Sequence, residues 1–361
     1  METTHRVAIE DARQAASIPA ESVDLVVTSP PYPMVEMWDG TFAALEPRVG
    51  EALRSNDGDS AFDAMHGELD RVWEQCARAL RPGGLVCINI GDATRTIDGE
   101  FRLWSNHARI LVALARLGFS ALPDIIWRKP TNAPNKFLGS GMLPAGAYVT
   151  YEHEYVLIAR KGARRQFVPV AAKENRRRSA YFWEERNAWF SDVWFDLRGS
   201  RQDLVDAETR ARSGAFPFEL AYRLIQMHSV YGDTVLDPFL GTGTTMVAAL
   251  ASGRSSRGIE IDAAFADLVR ARLKAAPCLA AERLAERLRT HEEFVAARRV
   301  AGKALRHRNV PHDIPVITRQ ETALEFLWPG TPHEVEPGSF VVEHAPRDRT
   351  RQAEFAFDRG S

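Results

Sequence analysis

Residues 235–250 read Val235-Leu236-Asp237-Pro238-Phe239-Leu240-Gly241-Thr242-Gly243-Thr244-Thr245-Met246-Val247-Ala248-Ala249-Leu250. A short apolar run, a glycine turn and an alanine-rich apolar stretch predict strand, loop and helix in that order. Gly241 and Gly243 let the backbone come close to a ligand, and the helix start that follows presents free N–H groups to an anionic group such as a carboxylate. The dinucleotide fingerprint is not met, because position 246 is Met where that pattern has Gly. The next predicted strand ends at Gly258-Ile259-Glu260-Ile261-Asp262. This places an acid about twenty residues beyond the glycine loop, where α/β sheets that bind nucleosides hold the ribose hydroxyls.

Working outward from this unit, the stretch Thr28-Ser29-Pro30-Pro31-Tyr32 follows the apolar run Val23-Asp24-Leu25-Val26-Val27. It therefore lies where a buried strand ends. Two consecutive prolines fix φ and offer no N–H, so the Ser29 and Pro30 carbonyls point in set directions and accept hydrogen bonds. An exocyclic amino group on a planar base suits that arrangement, and Tyr32 can stack on the base. Taken alone, the five residues also read as an ordinary strand-to-loop turn with a surface tyrosine.

The rest of the chain alternates strand-like and helix-like segments. Val7-Ala8-Ile9, Leu85 to Ile90, 122 to 128 and 154 to 159 are β-like, while 61 to 80, 104 to 117 and Leu220 to His228 keep helical spacing. The economical fold is α/β, a mostly parallel sheet with helices on both faces. Trp38 to Ser60 is polar and rich in turn residues, and is expected to be a mobile insertion. Thr131 to Gly146 is Gly- and Asn-rich and reads as a functional loop, with Lys136 a candidate DNA-backbone contact. Residues 279 to 305 are helical in character, and a proline-punctuated β-like end follows, with Val316-Ile317, Phe326-Leu327-Trp328 and Phe340-Val341-Val342. About the last fifteen residues are charged and lack a core.

Thr-Ser-Pro-Pro-Tyr together with Asp-Pro-Phe-x-Gly-x-Gly-Thr-Thr resembles the amino-group DNA methyltransferases that use S-adenosyl-L-methionine. The catalytic motif precedes the cofactor motif, as in the β group of that superfamily. Thr28 to Asp39 (TSPPYPMVEMWD) is more similar to the cytosine-N4 branch than to the adenine-N6 branch, which usually carries Asp where this chain has Ser29. The resemblance covers roughly residues 5 to 275. It implies a doubly wound, Rossmann-like methyltransferase fold with an inserted target-recognition segment and a C-terminal accessory region. The expected division is 1–162 and 213–276 for the two halves of the core, 163–212 for target recognition and 277–361 for the accessory region.

By the same resemblance Ser29, Pro30, Pro31 and Tyr32 are catalytic. Asp237, Phe239, Gly241, Gly243, Thr28 and Phe216 belong to the S-adenosyl-L-methionine pocket, Thr244 or Thr245 meets its carboxylate, Glu260 takes its ribose hydroxyls and Ile261 lies against its adenine. The expected activity is methylation of the N4 amine of cytosine in a short, palindromic duplex site after base flipping. Enzymes of this branch with a similar extension include ones acting on CTAG. A restriction endonuclease for the same site is the natural partner. Adenine-N6 methylation and a non-catalytic DNA-binding role on the same fold stay open, as does the oligomeric state.

Composition agrees. Hydrophobic residues make up 45% of the 361, enough for a substantial core. Cys76, Cys87 and Cys278 have no paired spacing, so neither a disulfide framework nor a zinc site is expected, and no metal is implied. No basic-apolar leader and no long apolar run are present, which points to a cytoplasmic protein without a membrane span. The net charge of −2 is not that of a basic nucleic-acid binder, so distribution matters. Residues 160 to 212 hold thirteen Lys or Arg against eight Asp or Glu, interleaved with aromatics. Arg176, Arg177, Arg178, Arg186 and Trp189 are accordingly the expected DNA contacts.

Overall fold

The computed structural model describes residues 1–129, 138–197 and 216–347. Lys136, part of the expected recognition segment and the charged C-terminal end lie outside the described residues. The architecture is a large mixed sheet with helices on both faces. From one edge its main path runs Val193–Trp194, Ile125–Arg128, His153–Lys161, Leu80–Ile90, Val23–Thr28, Thr234–Asp237, Ser255–Glu260, Glu2–Ile9, Ser339–Ala345 and Trp328–Pro329. The five central strands, Leu80–Ile90 through Glu2–Ile9, are mutually parallel. His153–Lys161 on one side and Ser339–Ala345 on the other run antiparallel.

Period-two alternation splits the core between the two faces. Val26, Val86, Ile88 and Leu157 face one helical layer with Met65, Leu69, Trp73, Ile110 and Leu114. Leu25, Val27, Cys87 and Val156 face the other, with Leu220, Leu224, Ile225 and Ala248. Every residue of Val23–Thr28 is buried, as a strand covered on both faces requires. The direction in which successive strands are laid down reverses between Val23–Thr28 and Thr234–Asp237. This is the topological switch point, where the crevice of an open α/β sheet opens at the carboxyl ends of the strands. Both motifs sit at those ends.

Several expectations are corrected. Trp38 to Ser60 is mostly helical, with Asp39–Leu45, Pro47–Arg54 and the start of Gly58–Ala79. Phe42 and Val49 anchor it in the core at 1% and 0% exposure. Its turn-like residues act as caps. Pro47 opens a helix, Glu46 accepts from the Arg48 N–H, and Asp57 accepts from the Ser60 N–H. A hairpin at Ala93–Ile97 and Glu100–Trp104 was not anticipated, although Asp98-Gly99, both at positive φ, form its two-residue turn. The boundary expected at 276/277 falls inside one helix, Ala266–Val300, which contains Pro277. The accessory region, by contrast, packs on the core as one of the expected alternatives, Ser339–Ala345 adding a strand beside Glu2–Ile9.

Buried polar groups tie these layers together. Arg254, fully buried, donates to the Ser229 hydroxyl at 3.0 Å, the Ser229 carbonyl at 2.8 Å and the Ser252 carbonyl. It thereby caps the ends of Phe218–His228 and Thr244–Ala251 together. At the added strand, the Thr3 hydroxyl bridges the His5 and His344 rings at 3.0 and 2.8 Å, and His5 meets Ser256 at 2.8 Å.

Burial pushes His5 and His66 down to about 3 and His228 and His344 down to about 4, from 6.5. The unfolded chain protonates all four near pH 6.5, whereas the folded chain resists until far lower. Their contribution is therefore intact above that pH and is lost as the pH falls toward 4. Urea unfolding at pH 7 and pH 5 is expected to show a net loss on the order of 2 kcal/mol at the lower pH. Equal stability at the two pH values would contradict this.

Candidate active site

The switch point is closed by one carboxylate. Asp237 is 2% exposed; its Oδ1 accepts from the Thr28 hydroxyl at 2.6 Å and its Oδ2 from the Thr245 hydroxyl at 2.6 Å. The Phe239 N–H adds a third bond to Oδ1 at 3.1 Å. Burial nevertheless pushes the Asp237 pKa up to about 6, with the donated hydrogen bonds opposing it. The two motifs, 209 residues apart in sequence, are thus tied at one point.

Beyond it lies a cavity of about 600 Å³, lined from both motifs. Ser29, Pro30, Pro31 and Tyr32 form part of its wall, and Phe216, Asp237, Phe239, Gly241, Thr244, Glu260 and Ile261 form another part. Thr28, Gly243 and Thr245 stand behind the wall. The Thr245 hydroxyl is turned to Asp237, so of the two threonines expected at a carboxylate only Thr244 borders the cavity. Gly243 caps the Thr244–Ala251 helix at φ 83, and a Cβ there would lie 3.1 Å from Val269. Glu260 holds the glycine loop, accepting from the Gly241 N–H at 2.7 Å and the Asp262 N–H at 2.9 Å, and burial raises its pKa. The Gly241 N–H is therefore engaged by protein.

Tyr32 sits in a polar cluster that the sequence did not reveal. The Ser29 hydroxyl donates to Tyr32 Oη at 3.2 Å, and Asn89 Nδ2 donates to the same oxygen at 2.8 Å. Tyr32 Oη donates to Glu154 Oε2 at 3.0 Å, and Lys129 pairs with Glu154 Oε1. Lys129 and Glu154 both line the cavity. The available signal was a single acid opening the apolar run Glu154-Tyr155-Val156-Leu157-Ile158. Asp11, bonded to Arg13 at 2.5 Å, also borders the cavity just past Glu2–Ile9. Its place at the end of a central parallel strand could have marked it.

The expected DNA contacts are dispersed. Arg176 and Arg186 lie over the rings of Phe167 and Phe190 at the surface, and Arg177 is exposed. Arg178 is paired with Glu325 at 2.7 Å. Trp189 is 3% exposed, its carbonyl accepting from the Trp194 indole at 3.0 Å, so the expectation that it touches DNA is corrected. Of the aromatics of this segment, Phe182, Trp189 and Trp194 are buried, whereas Trp183 and Phe195 are exposed. None of the five expected DNA contacts lines the cavity.

Replacing the two hydroxyl donors to Asp237, Thr28→Val with Thr245→Val, is expected to lower the unfolding free energy at pH 7 by about 2–4 kcal/mol. The loss should shrink below pH 6, where Asp237 takes up its proton. A loss independent of pH would remove the carboxylate from its assigned role.

The N6_N4_Mtase family, described as DNA methylase, matches residues 23–271. Type II methyltransferase M.MthZI of Methanothermobacter thermautotrophicus is 48% identical over 341 residues, 94% of this chain and 95% of that protein. Type II methyltransferase M.MjaI of Methanocaldococcus jannaschii is 47% identical over 278 residues, 74% of this chain and 90% of its own. Among solved structures, the DNA modification methylase TTHA0409 from Thermus thermophilus, complexed with S-adenosyl-L-methionine, is 35% identical with a TM-score of 0.58, covering 75% of this chain and 94% of that one. On the extent of the family match and these identities, the chain belongs to the N6_N4_Mtase family of DNA methylases.

Proposed function

We propose that this protein is a cytoplasmic, site-specific DNA methyltransferase that moves a methyl group from S-adenosyl-L-methionine to the N4 amine of cytosine in a short palindromic duplex site. The target base leaves the stack first, because a paired and stacked amine is out of reach. Modification that protects DNA from a restriction endonuclease of the same specificity is its proposed role. The observation that carries the reading is the Ser29 hydroxyl at the cavity, its hydrogen directed to Tyr32 and its lone pairs left to accept from an amine.

The residues fit the cofactor. A cavity of about 600 Å³ is of the size that takes a nucleoside-bearing ligand. Ile261, 57% exposed at its edge, offers an apolar face to a purine, and Glu260 offers carboxylate lone pairs to ribose hydroxyls. Phe239 and Phe216 supply further apolar wall, and Thr244 the helix start beside a carboxylate. When bound, S-adenosyl-L-methionine supplies an electrophilic methyl on a sulfonium.

The protein's part is orientation. A cytosine N4 lone pair is delocalised into the ring and is a poor nucleophile. Acceptance of its two hydrogens by Ser29 Oγ and the Pro30 carbonyl favours a tetrahedral nitrogen with a localised lone pair. Tyr32 gives the base a flat surface. Such positioning is worth up to about 7–11 kcal/mol in well-oriented systems, and preorganised acceptors stabilise positive charge developing on nitrogen. Arg176, Arg177 and Arg186 are the surface cations proposed to track the DNA backbone.

Plasmid incubated with the protein and S-adenosyl-L-methionine, then digested to nucleosides and separated by mass spectrometry, is expected to contain N4-methylcytosine. N6-methyladenine would overturn the cytosine assignment. Ser29→Ala is expected to lower the methylation rate by about 10²-fold, the scale of one lost transition-state hydrogen bond, with cofactor affinity unchanged. Glu260→Ala should reverse that pattern, weakening cofactor binding in calorimetry.

A further inference from the structure

The cluster around Tyr32 has a direction. A phenol carries one hydrogen and has room for about two donors. At Tyr32 Oη those two places are filled by the Ser29 hydroxyl at 3.2 Å and by Asn89 Nδ2 at 2.8 Å. Its hydrogen goes to Glu154 Oε2, 3.0 Å away. Asn89 Nδ2 also donates to that carboxylate oxygen, at 2.7 Å, which leaves the buried Asn89 Oδ1 without a partner. The amide is thus committed to donating toward both members of the chain. Lys129 neutralises the other Glu154 oxygen. Every hydrogen along the line therefore points away from the cavity face of Ser29 and toward a carboxylate that is 9% exposed.

We propose that Ser29, Tyr32 and Glu154 form a one-way proton relay that carries away the proton an exocyclic amine must shed as it gains its methyl group. The inference rests on the proposed methylation of an exocyclic amine. As the new N–C bond forms, the methyl–sulfur bond of the donor sulfonium breaks, its electron pair staying on sulfur in a neutral thioether that departs as product. One N–H bond of the amine breaks and its proton passes to Ser29 Oγ. The Ser29 hydrogen passes to Tyr32 Oη, and the Tyr32 hydrogen passes to Glu154 Oε2. Serine and tyrosine end neutral, the methylated amine ends neutral, and Glu154 ends as a carboxylic acid until it exchanges with solvent. Glu154 acts through Tyr32, whose hydroxyl it accepts from, and is a positioning and relay residue. Tyr32 combines two tasks, its ring facing the base and its hydroxyl conducting the proton.

The test is single-turnover methylation by the wild type, Glu154→Gln, Tyr32→Phe and the double variant, on a duplex carrying the site. Cofactor binding by calorimetry serves as the check on folding. Each single variant is expected to slow methyl transfer by about 10²-fold, the lower end of general acid–base contributions, and the double variant no further, because both cut one line. The wild-type rate should fall at least about twofold in deuterium oxide, with a proton inventory curved by several moving protons, and Tyr32→Phe should flatten it. The hydroxyl proton of Tyr32, observed by NMR without DNA or cofactor, should shift in Glu154→Gln. Rates within threefold of wild type, multiplicative losses, or an unchanged isotope effect would each overturn the relay. The wild-type product is read in the same assay: N6-methyladenine would overturn the cytosine assignment and leave the rate ratios to decide the relay. Absence of any methylated amine would overturn both.

Discussion

The Asp237 carboxylate, buried and held by one hydroxyl from each side of the crevice, is the constraint on which the site depends. Thr28 ends the strand that leads into the proline turn, and Thr245 lies in the first turn of the helix after the glycine loop. Because both bonds converge on one carboxylate, the two motifs cannot shift independently. Burying an acid costs free energy, visible in the rise of its pKa to about 6. The three donated hydrogen bonds offset part of that cost and give the loop a single arrangement.

The same logic repeats around the cavity. Glu260 is fixed by two backbone N–H groups, and Tyr32 by two donors and one acceptor. Each of these polar groups at the carboxyl ends of the central strands thus has its orientation set before a ligand arrives. That is the preorganisation a positioning catalyst needs. Gly91 shows how tight the packing is, since a Cβ there would lie 3.0 Å from the Tyr32 ring and 3.3 Å from Glu154.

The long helix Ala266–Val300 extends this order to the segment between the motifs. Arg287, 2% exposed, makes a bidentate pair with Glu185 at 2.5 and 2.7 Å, and Arg283 pairs with Glu219 at 2.8 Å. Glu185 belongs to the aromatic-rich segment and Glu219 to the helix that leads to the glycine-loop strand. Phe182, Leu284, Val316 and Phe326 share one apolar cluster. The C-terminal region therefore supports the segment expected to meet DNA, and its aromatics serve as that segment's floor.

Neighbouring residues were enough to establish the α/β class, most of the central strands, both motifs, their common place at strand ends and the acid at 260. Those features are local. Strand, glycine turn and helix start are written in adjacent residues, and strand ends in parallel sheets gather on one side. Folding in three dimensions was needed to show that Thr245 and Thr28 serve Asp237, that Trp189 is interior, and that Glu154, Asn89 and Lys129 surround Tyr32. These depend on contacts between residues far apart in the chain, for which residue type carries no distance information. The segment 38–60 lies between the two cases, since Pro47 and Asp57 break a helix or begin one according to what packs beneath them. Phe42 and Val49 in the core settled that choice by apolar burial, a property of the folded molecule.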